Sequence, residues 1–241
     1  MIIKKIFGAL LLLTVFALPQ SVFAEKTDWT DRNFYFRNIR TVIVFDATVT
    51  PGVDVGGTIG VLNIQDRFRQ DAGKLPCRLV SEAQARQYVG GQIGMNLEAL
   101  SMSNPMQARQ IIMQNAYILG ADAWVLANVD AWGNQTYIEP ERTVWESRRE
   151  TRRYYDHWGQ LHEESYTVQV PVTYPPRRVD ISTVQVTLQA YEARTGKLIF
   201  ARKDVRDRED YSAQVGMFGR ISNSFFEDLS KKIRGHNFKC P

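Results

Sequence analysis

The sequence predicts an α+β protein: a mixed β-sheet with helices packed on one face, carrying a long protruding β-hairpin. Three observations predict it. Strand-like and helix-like runs segregate partly along the chain instead of alternating strictly. The strongest helical pattern runs straight into an apolar strand, and a second strong helical pattern closes the chain. Between Tyr137 and Arg178 a charged and aromatic stretch with a turn signal at its centre interrupts the sheet pattern. With 44% apolar and 23% charged residues, the composition is that of an ordinary folded domain, which excludes an extended disordered chain.

The N-terminus reads as a cleaved export signal over residues 1–24. Lys4 and Lys5 precede an uncharged apolar run, Ile6 to Leu18, and Val22 and Ala24 supply the small side chains a signal peptidase accepts. The run falls short of the ~20 apolar residues of a membrane span. An uncleaved anchor is the alternative. No cysteine follows the run, so a lipid anchor is not expected there. Of the 241 residues, 24 leave with the signal and 217 remain, read as a single domain over 25–241 with the arm, 137–178, inserted between sheet strands. The expected location is periplasmic or extracellular and cell-envelope associated, soluble after cleavage. Two of the four units of net charge are Lys4 and Lys5; a mature chain near +2 gives no electrostatic reason to invoke nucleic acid.

Thr41 to Phe45 is a continuous β-branched and apolar run, the pattern of a strand buried on both faces. Thr50-Pro51-Gly52 breaks it. Ile59, Leu62, Phe68 and Ala72 suit a helix from Thr58, stopped by Gly73, and Leu75 to Val80 reads as a short strand. Ser81 is placed to cap the next helix, with Glu82 at the positive end of its dipole; Gly90, Gly91 and Gly94 weaken that helix. Asn104 as cap and Pro105 at the first helical position open the clearest helix. Ala108, Ile111, Ile112, Asn115, Ala116 and Leu119 form its one face and Gly120 its stop. Ala121 to Trp132 reads as a central strand, apolar on both sides at first. Ser182 to Tyr191 alternates with one polar face, Arg194-Thr195-Gly196-Lys197 turns, and Leu198 to Val205 returns. Phe218, Ile221, Phe225, Leu229 and Ile233 line the closing helix.

In the arm, His157-Trp158-Gly159-Gln160 looks like a hairpin turn. With Trp158 and Gly159 as the two loop residues, paired numbers sum to 317, so Arg153 faces Glu164 and Trp145 faces Val172. One face then gathers Trp145, Arg149, Arg153, Tyr155, Tyr166, Val168, Val170 and Val172. These are the predicted partner-binding residues, for self-association or for an envelope protein. The other face is charged and polar. Packing on its own domain and insertion into a membrane are the competing readings of the apolar face; a lipid-facing strand tolerates Arg149 and Arg153 poorly, at ~2–4 kcal/mol each near mid-bilayer. Seven arginines between Glu139 and Arg178 are matched by seven acids, so little counterion release is available for nucleic acid. An acidic glycan or lipid headgroup held locally by the arginines stays open.

Catalytic signals are poor. His157 and His162 sit at the arm's tip and His236 in the tail; no serine carries a nucleophile-elbow pattern. Asp156, His157, His162, Glu163 and Glu164 match no closed zinc spacing. Gly56-Gly57-Thr58-Ile59-Gly60 lacks the Gly-Lys-Ser/Thr ending of a phosphate loop. No catalytic residue, metal or cofactor is therefore expected. A rival hydrolytic or carbohydrate-active enzyme would need Asp46, Asp122 and Asp130 to converge. Cys77 and Cys240 either form a disulfide across ~160 residues, adding up to ~5 kcal/mol, or remain two thiols.

Three stretches resemble the envelope domains of the TolB N-terminal and CsgG type: the strand Thr41–Phe45, the helix running into Leu119-Gly120-Ala121-Asp122-Ala123-Trp124-Val125-Leu126, and the hairpin Val184–Leu188 through Glu192-Ala193-Arg194-Thr195-Gly196-Lys197 with its closing helix. Glu192 stands where that family has Asp, and its lipid-anchoring Cys is absent. The resemblance implies a non-enzymatic part of an envelope assembly, with the arm in the place where CsgG carries membrane-crossing hairpins. Its charge pattern here argues against a barrel. A membrane-active pore or secretion subunit is the second rival.

Overall fold

The structure, a computed structural model, describes residues 25–209 and 214–235. In chain order its elements are β1 (Glu25–Thr30), β2 (Thr41–Val44), β3 (Thr48–Val49), α1 (Gly57–Ala72), β4 (Arg78–Ser81), α2 (Glu82–Ile93), α3 (Leu97–Ser103), α4 (Pro105–Gln114), β5 (Ala123–Glu139), β6 (Arg142–Tyr155), β7 (Leu161–Tyr174), β8 (Arg177–Glu192), β9 (Leu198–Arg208) and α5 (Gln214–Arg234). Short 3-10 turns lie at Phe36–Asn38 and Ala116–Leu119. The main sheet has seven strands in the order β1-β9-β8-β5-β2-β4, with β3 beside β5; β6 and β7 form a separate two-stranded ribbon. β2 runs parallel to β4 and β5, whereas β5–β8, β8–β9 and β9–β1 are antiparallel. The fold is α+β with a mixed sheet.

The helices divide between the two faces of that sheet, where one covered face was expected. Val42, Val44, Val125, Val186 and Leu188 pack against α1 and α5. Ile43, Phe45, Val80 and Trp124 pack against α2, α3 and α4. The alternation of side chains along a strand makes this unavoidable for β2, which is buried on both sides and needs two covers. The second cover stops at β5. Beyond it Gln185, Thr187 and Gln189 of β8 keep the polar face predicted for them.

Local sequence explains each junction. Ser81 accepts from Gln84 N–H at 3.3 Å while the Gln84 side chain accepts from Ser81 N–H at 2.9 Å, a complete capping box. Asn104 accepts from Gln107 N–H at 3.1 Å and Pro105 follows as expected. The helix expected to reach Leu119 stops at Gln114. There the Asn115 side chain donates to Ile111 O, and a 3-10 turn carries the chain on to Gly120. The Gly120-Ala121-Asp122 motif is a clamp: the Asp122 carboxylate accepts from Arg40 N–H at 2.7 Å and Thr41 N–H at 2.9 Å, tying the start of β2 to the start of β5. Glu192 accepts from Thr195 Oγ1 inside the β8–β9 turn. The glycine stretch after β3 opens α1 instead of cradling a phosphate. The Asp54 carboxylate already accepts from Gly56 N–H (2.8 Å) and Gly57 N–H (3.3 Å). A Cβ at Gly60 would lie 1.8 Å from Val55 O, so that position admits only glycine.

Two strands run beyond their predicted ends. β5 continues from Trp132 to Glu139 and β8 begins at Arg177, paired over that whole length. A bulge between Val129 and Ala131 shifts the register by one residue. It turns Trp132 inward against the α1/α5 layer, beside its partner Val184. β1 was not predicted: Glu25-Lys26-Thr27-Asp28-Trp29-Thr30 shows no apolar alternation. It pairs with β9 because Asp28 and Lys26 turn toward α5, where Asp228 and Arg202 neutralise them.

Candidate functional site: the projecting ribbon

β6 and β7 pair residue for residue from Arg142↔Tyr174 to Tyr155↔Leu161, and among the described residues no other element packs along them. The ribbon continues the outer halves of β5 and β8 across two kinks, Pro140-Glu141 and Pro175-Pro176. Ion pairs brace this root. Arg177 binds Glu139, Arg142 reaches Glu139 at 3.3 Å, and Arg177 also reaches Glu209 at 3.6 Å. The hydrogen bond from Arg177 holds the Glu139 carboxyl below its usual range.

The tip corrects the predicted register. The loop is five residues, Asp156–Gln160, because Asp156 organises it. Asp156 N–H donates to Gln160 O at 2.9 Å, and Asp156 O accepts from Gly159 N–H at 3.0 Å. The Asp156 carboxylate accepts from Trp158 N–H, Gln160 N–H and the His162 ring, each at 2.9 Å. The bond from His162, then that from Gln160, holds this carboxyl below its usual range. Gly159, at φ 77°, takes the left-handed step.

Paired numbers therefore sum to 316, one less than expected, and this slip moves one strand's side chains to the other face relative to its partner. Tyr166, Val168, Val170 and Val172 do not share a face with Trp145, Arg149, Arg153 and Tyr155. They lie opposite Glu150, Arg148, Glu146 and Val144, and with Tyr174 they form an apolar seam along β7. Trp145, Arg149, Arg153 and Tyr155 lie on the reverse side, opposite Pro171, Thr167, Glu163 and Leu161. Direct contacts fit this pairing: Arg153–Glu163 at 3.0 Å, Gln169 donating to Ser147 at 2.7 Å, and the Tyr154 and His162 rings stacked at 5.5 Å.

The seam valines are half-buried against the stems of their charged neighbours, while the large aromatics stand in solvent. Trp145 is 65% exposed, Tyr155 72% and Trp158 77%. Trp158 was missed as a contact residue because the expected turn used it only as a loop position. Arg148 and Arg149 pair with no acid among the described residues.

The rival sites do not assemble. Asp46 binds Arg69 at 2.8 Å. Asp122 holds β2 as described. Asp130, at the bulge, accepts from Asn128 and Thr187. Asp122 and Asp130 are eight residues apart along extended chain, about 26 Å, so the three carboxylates do not converge. A cleft of about 820 Å³ between α4 and the polar face of β5 and β8 carries Arg109 as its single charged lining residue. Arg109 is committed to buried Glu82 at 2.6 Å and to Asp46 O at 2.8 Å. Among the described residues no three His, Cys, Asp or Glu side chains group to hold a metal ion, and no helix is long and apolar enough to cross a membrane. Cys77 is half-buried; Cys240 and His236 lie outside the described residues.

No known family profile and no curated protein matches the chain, so the TolB N-terminal and CsgG likeness rests on its motifs. Among solved structures, the chain is similar to the PelC dodecamer from Paraburkholderia phytofirmans at 8% identity and a TM-score of 0.41, covering 88% of this chain and 97% of that one. It is also similar to lipoprotein GNA1162 from Neisseria meningitidis at 15% identity and a TM-score of 0.39, covering 80% and 99%.

Proposed function

We propose that this protein is an exported, non-enzymatic binding or assembly module of the cell envelope, which uses the β6–β7 ribbon for self-association or for docking an envelope partner. One observation supports this most: the ribbon carries Trp145, Tyr155 and Trp158 into solvent with no element among the described residues against them. Exposed aromatics of this kind are the residues that anchor protein interfaces. The seam of Tyr166, Val168, Val170 and Val172 offers a second, flatter contact, bordered by the charges of β6 that set orientation.

Replacing residues 140–176 by a two-residue turn joins Glu139 and Arg177, which already face each other. The shortened protein is expected to keep its unfolding cooperativity and to lose assembly, or capture of envelope components, measured by light scattering and pull-down against the full chain. Val168→Lys with Val170→Lys should separate the seam from Trp145→Ala on the reverse side. Global unfolding on removal of the ribbon would make it part of the core and end this reading.

A further inference from the structure

We propose that the edge strand β4 is a docking groove for strand β1 of a second copy of this chain, with Trp29 as the side chain that fills it. β1 and β4 are the two ends of the seven-stranded sheet. Among the described residues each has a ladder on one side only, so β1 presents backbone donors and acceptors on the other side and β4 presents those of Leu79, its Ser81 N–H being held by Gln84. This contact is separate from the ribbon's.

β4 is flanked by two recesses, one on each face of the sheet. The larger, about 600 Å³, lies between Arg78 and Val80 of β4, Tyr88 and Gly91 of α2, and Ile118 and Leu119. The smaller, about 170 Å³, lies on the α1 side and is lined by Val44, Arg69, Ala72 and Leu79. A strand laid along β4 sends successive side chains to opposite faces, so alternate residues would face the larger recess. The larger suits a bulky ring and the smaller a short side chain; Arg69 beside the smaller is already paired with Asp46 and Asp66.

β1 has that pattern. Lys26 and Asp28 turn toward α5, which leaves Trp29 on the sheet face that α2 covers. Trp29 is 47% exposed in its own fold. The strand directions also agree. β4 runs parallel to β2 and β5, and the antiparallel steps from β5 through β8 and β9 leave β1 running opposite to β4. A neighbour joined end to end with its faces aligned therefore forms an antiparallel pair. With Trp29 opposite Arg78, Asp28 comes opposite Leu79, whose outward backbone groups gain a partner, and Lys26 comes opposite Ser81, whose N–H stays with its capping Gln84. Arg78 pairs with no acid among the described residues and would meet the Trp29 ring face. The two copies contribute different surfaces, so the contact repeats into a ring or a filament.

Gly91 makes the test clean. A Cβ added there meets nothing within 4 Å, so Gly91→Trp fills the larger recess without disturbing the fold that forms it. In sedimentation of residues 25–241, Gly91→Trp and Trp29→Ala are each expected to weaken self-association about tenfold or more, with an unchanged thermal midpoint in the dissociated state. Gly91→Ala should associate as wild type. The same losses are expected after the ribbon is deleted, which separates this contact from the one proposed above. Mixing Trp29→Cys with Gly91→Cys protein should give a disulfide between the two variants. A folded Gly91→Trp that assembles as tightly as wild type would overturn the proposal. So would a wild type that stays monomeric at about 0.1 mM, or a recess that unrelated extended peptides fill as readily as a peptide of residues 25–33.

Discussion

Arg202 has no exposed side-chain surface, yet it is a full cation in the middle of the α5 packing. Asp28 binds it through two contacts at 2.6 and 2.9 Å, Asp228 through one at 2.7 Å, and the rings of Phe200 and Phe225 lie under the guanidinium. Arg202→Met is expected to cost about 2 kcal/mol, because it leaves two partly buried carboxylates with only the exposed Lys26 and Lys231 as cations; urea unfolding measures it. Burial works to raise the Asp228 carboxyl, but the hydrogen bonds from Arg202 and Lys231 outweigh it and hold the group at about 2. Its folded value is below its ordinary one of 3.8, so its contribution is complete above pH ~4 and is lost as pH falls toward 2. Asp228→Asn should lower stability at pH 7 by about 1–2 kcal/mol, allowing for its partial exposure, and flatten the acid limb of the stability curve. Cys77 is shifted the other way: burial, then the nearby Asp122 charge, push its thiol up to about 11. In a Cys240→Ala background its alkylation by iodoacetamide at pH 7.5 should be about a hundredfold slower than that of an exposed thiol, read by mass spectrometry.

At the scale of elements, the cores of strands and helices were legible and their ends were not. β2, α4 and the β8–β9 turn follow from runs, caps and turn residues whose physics is local. The ribbon register depended on a side chain's choice of partner. Trp158-Gly159 satisfies the composition of a tight turn, but Asp156 gathers three hydrogen bonds that a two-residue loop would forgo. One residue of difference then regroups every predicted contact side chain: the seam of valines survives on β7, and Trp145, Arg149, Arg153 and Tyr155 pass to the reverse side. Asp156→Ala should raise amide exchange at Trp158 and Gln160 by about tenfold or more while moving the global unfolding midpoint by less than about 1 °C, since the loop lies outside the cooperative core. A large drop in midpoint would mean that the tip stabilises the whole ribbon and the sheet behind it.

For the whole molecule, the α+β class was readable because helices and strands cluster in sequence. The division of helices between two faces was hinted at by Thr41–Phe45, a run too apolar on both sides for a singly covered sheet. β1 was not readable, because what holds it is an ion-pair network closed by residues about 175 and 200 positions away, which no local pattern announces. The single-residue bulge at Asp130, by contrast, is absorbed where it occurs. β8 runs past it without a shift, so Trp132 meets Val184 and the pairing holds from there to Glu139 and Arg177. Deleting Asp130 is expected to leave that alignment, and the ribbon beyond it, in place, like a spare link taken from a chain whose clasp does not move.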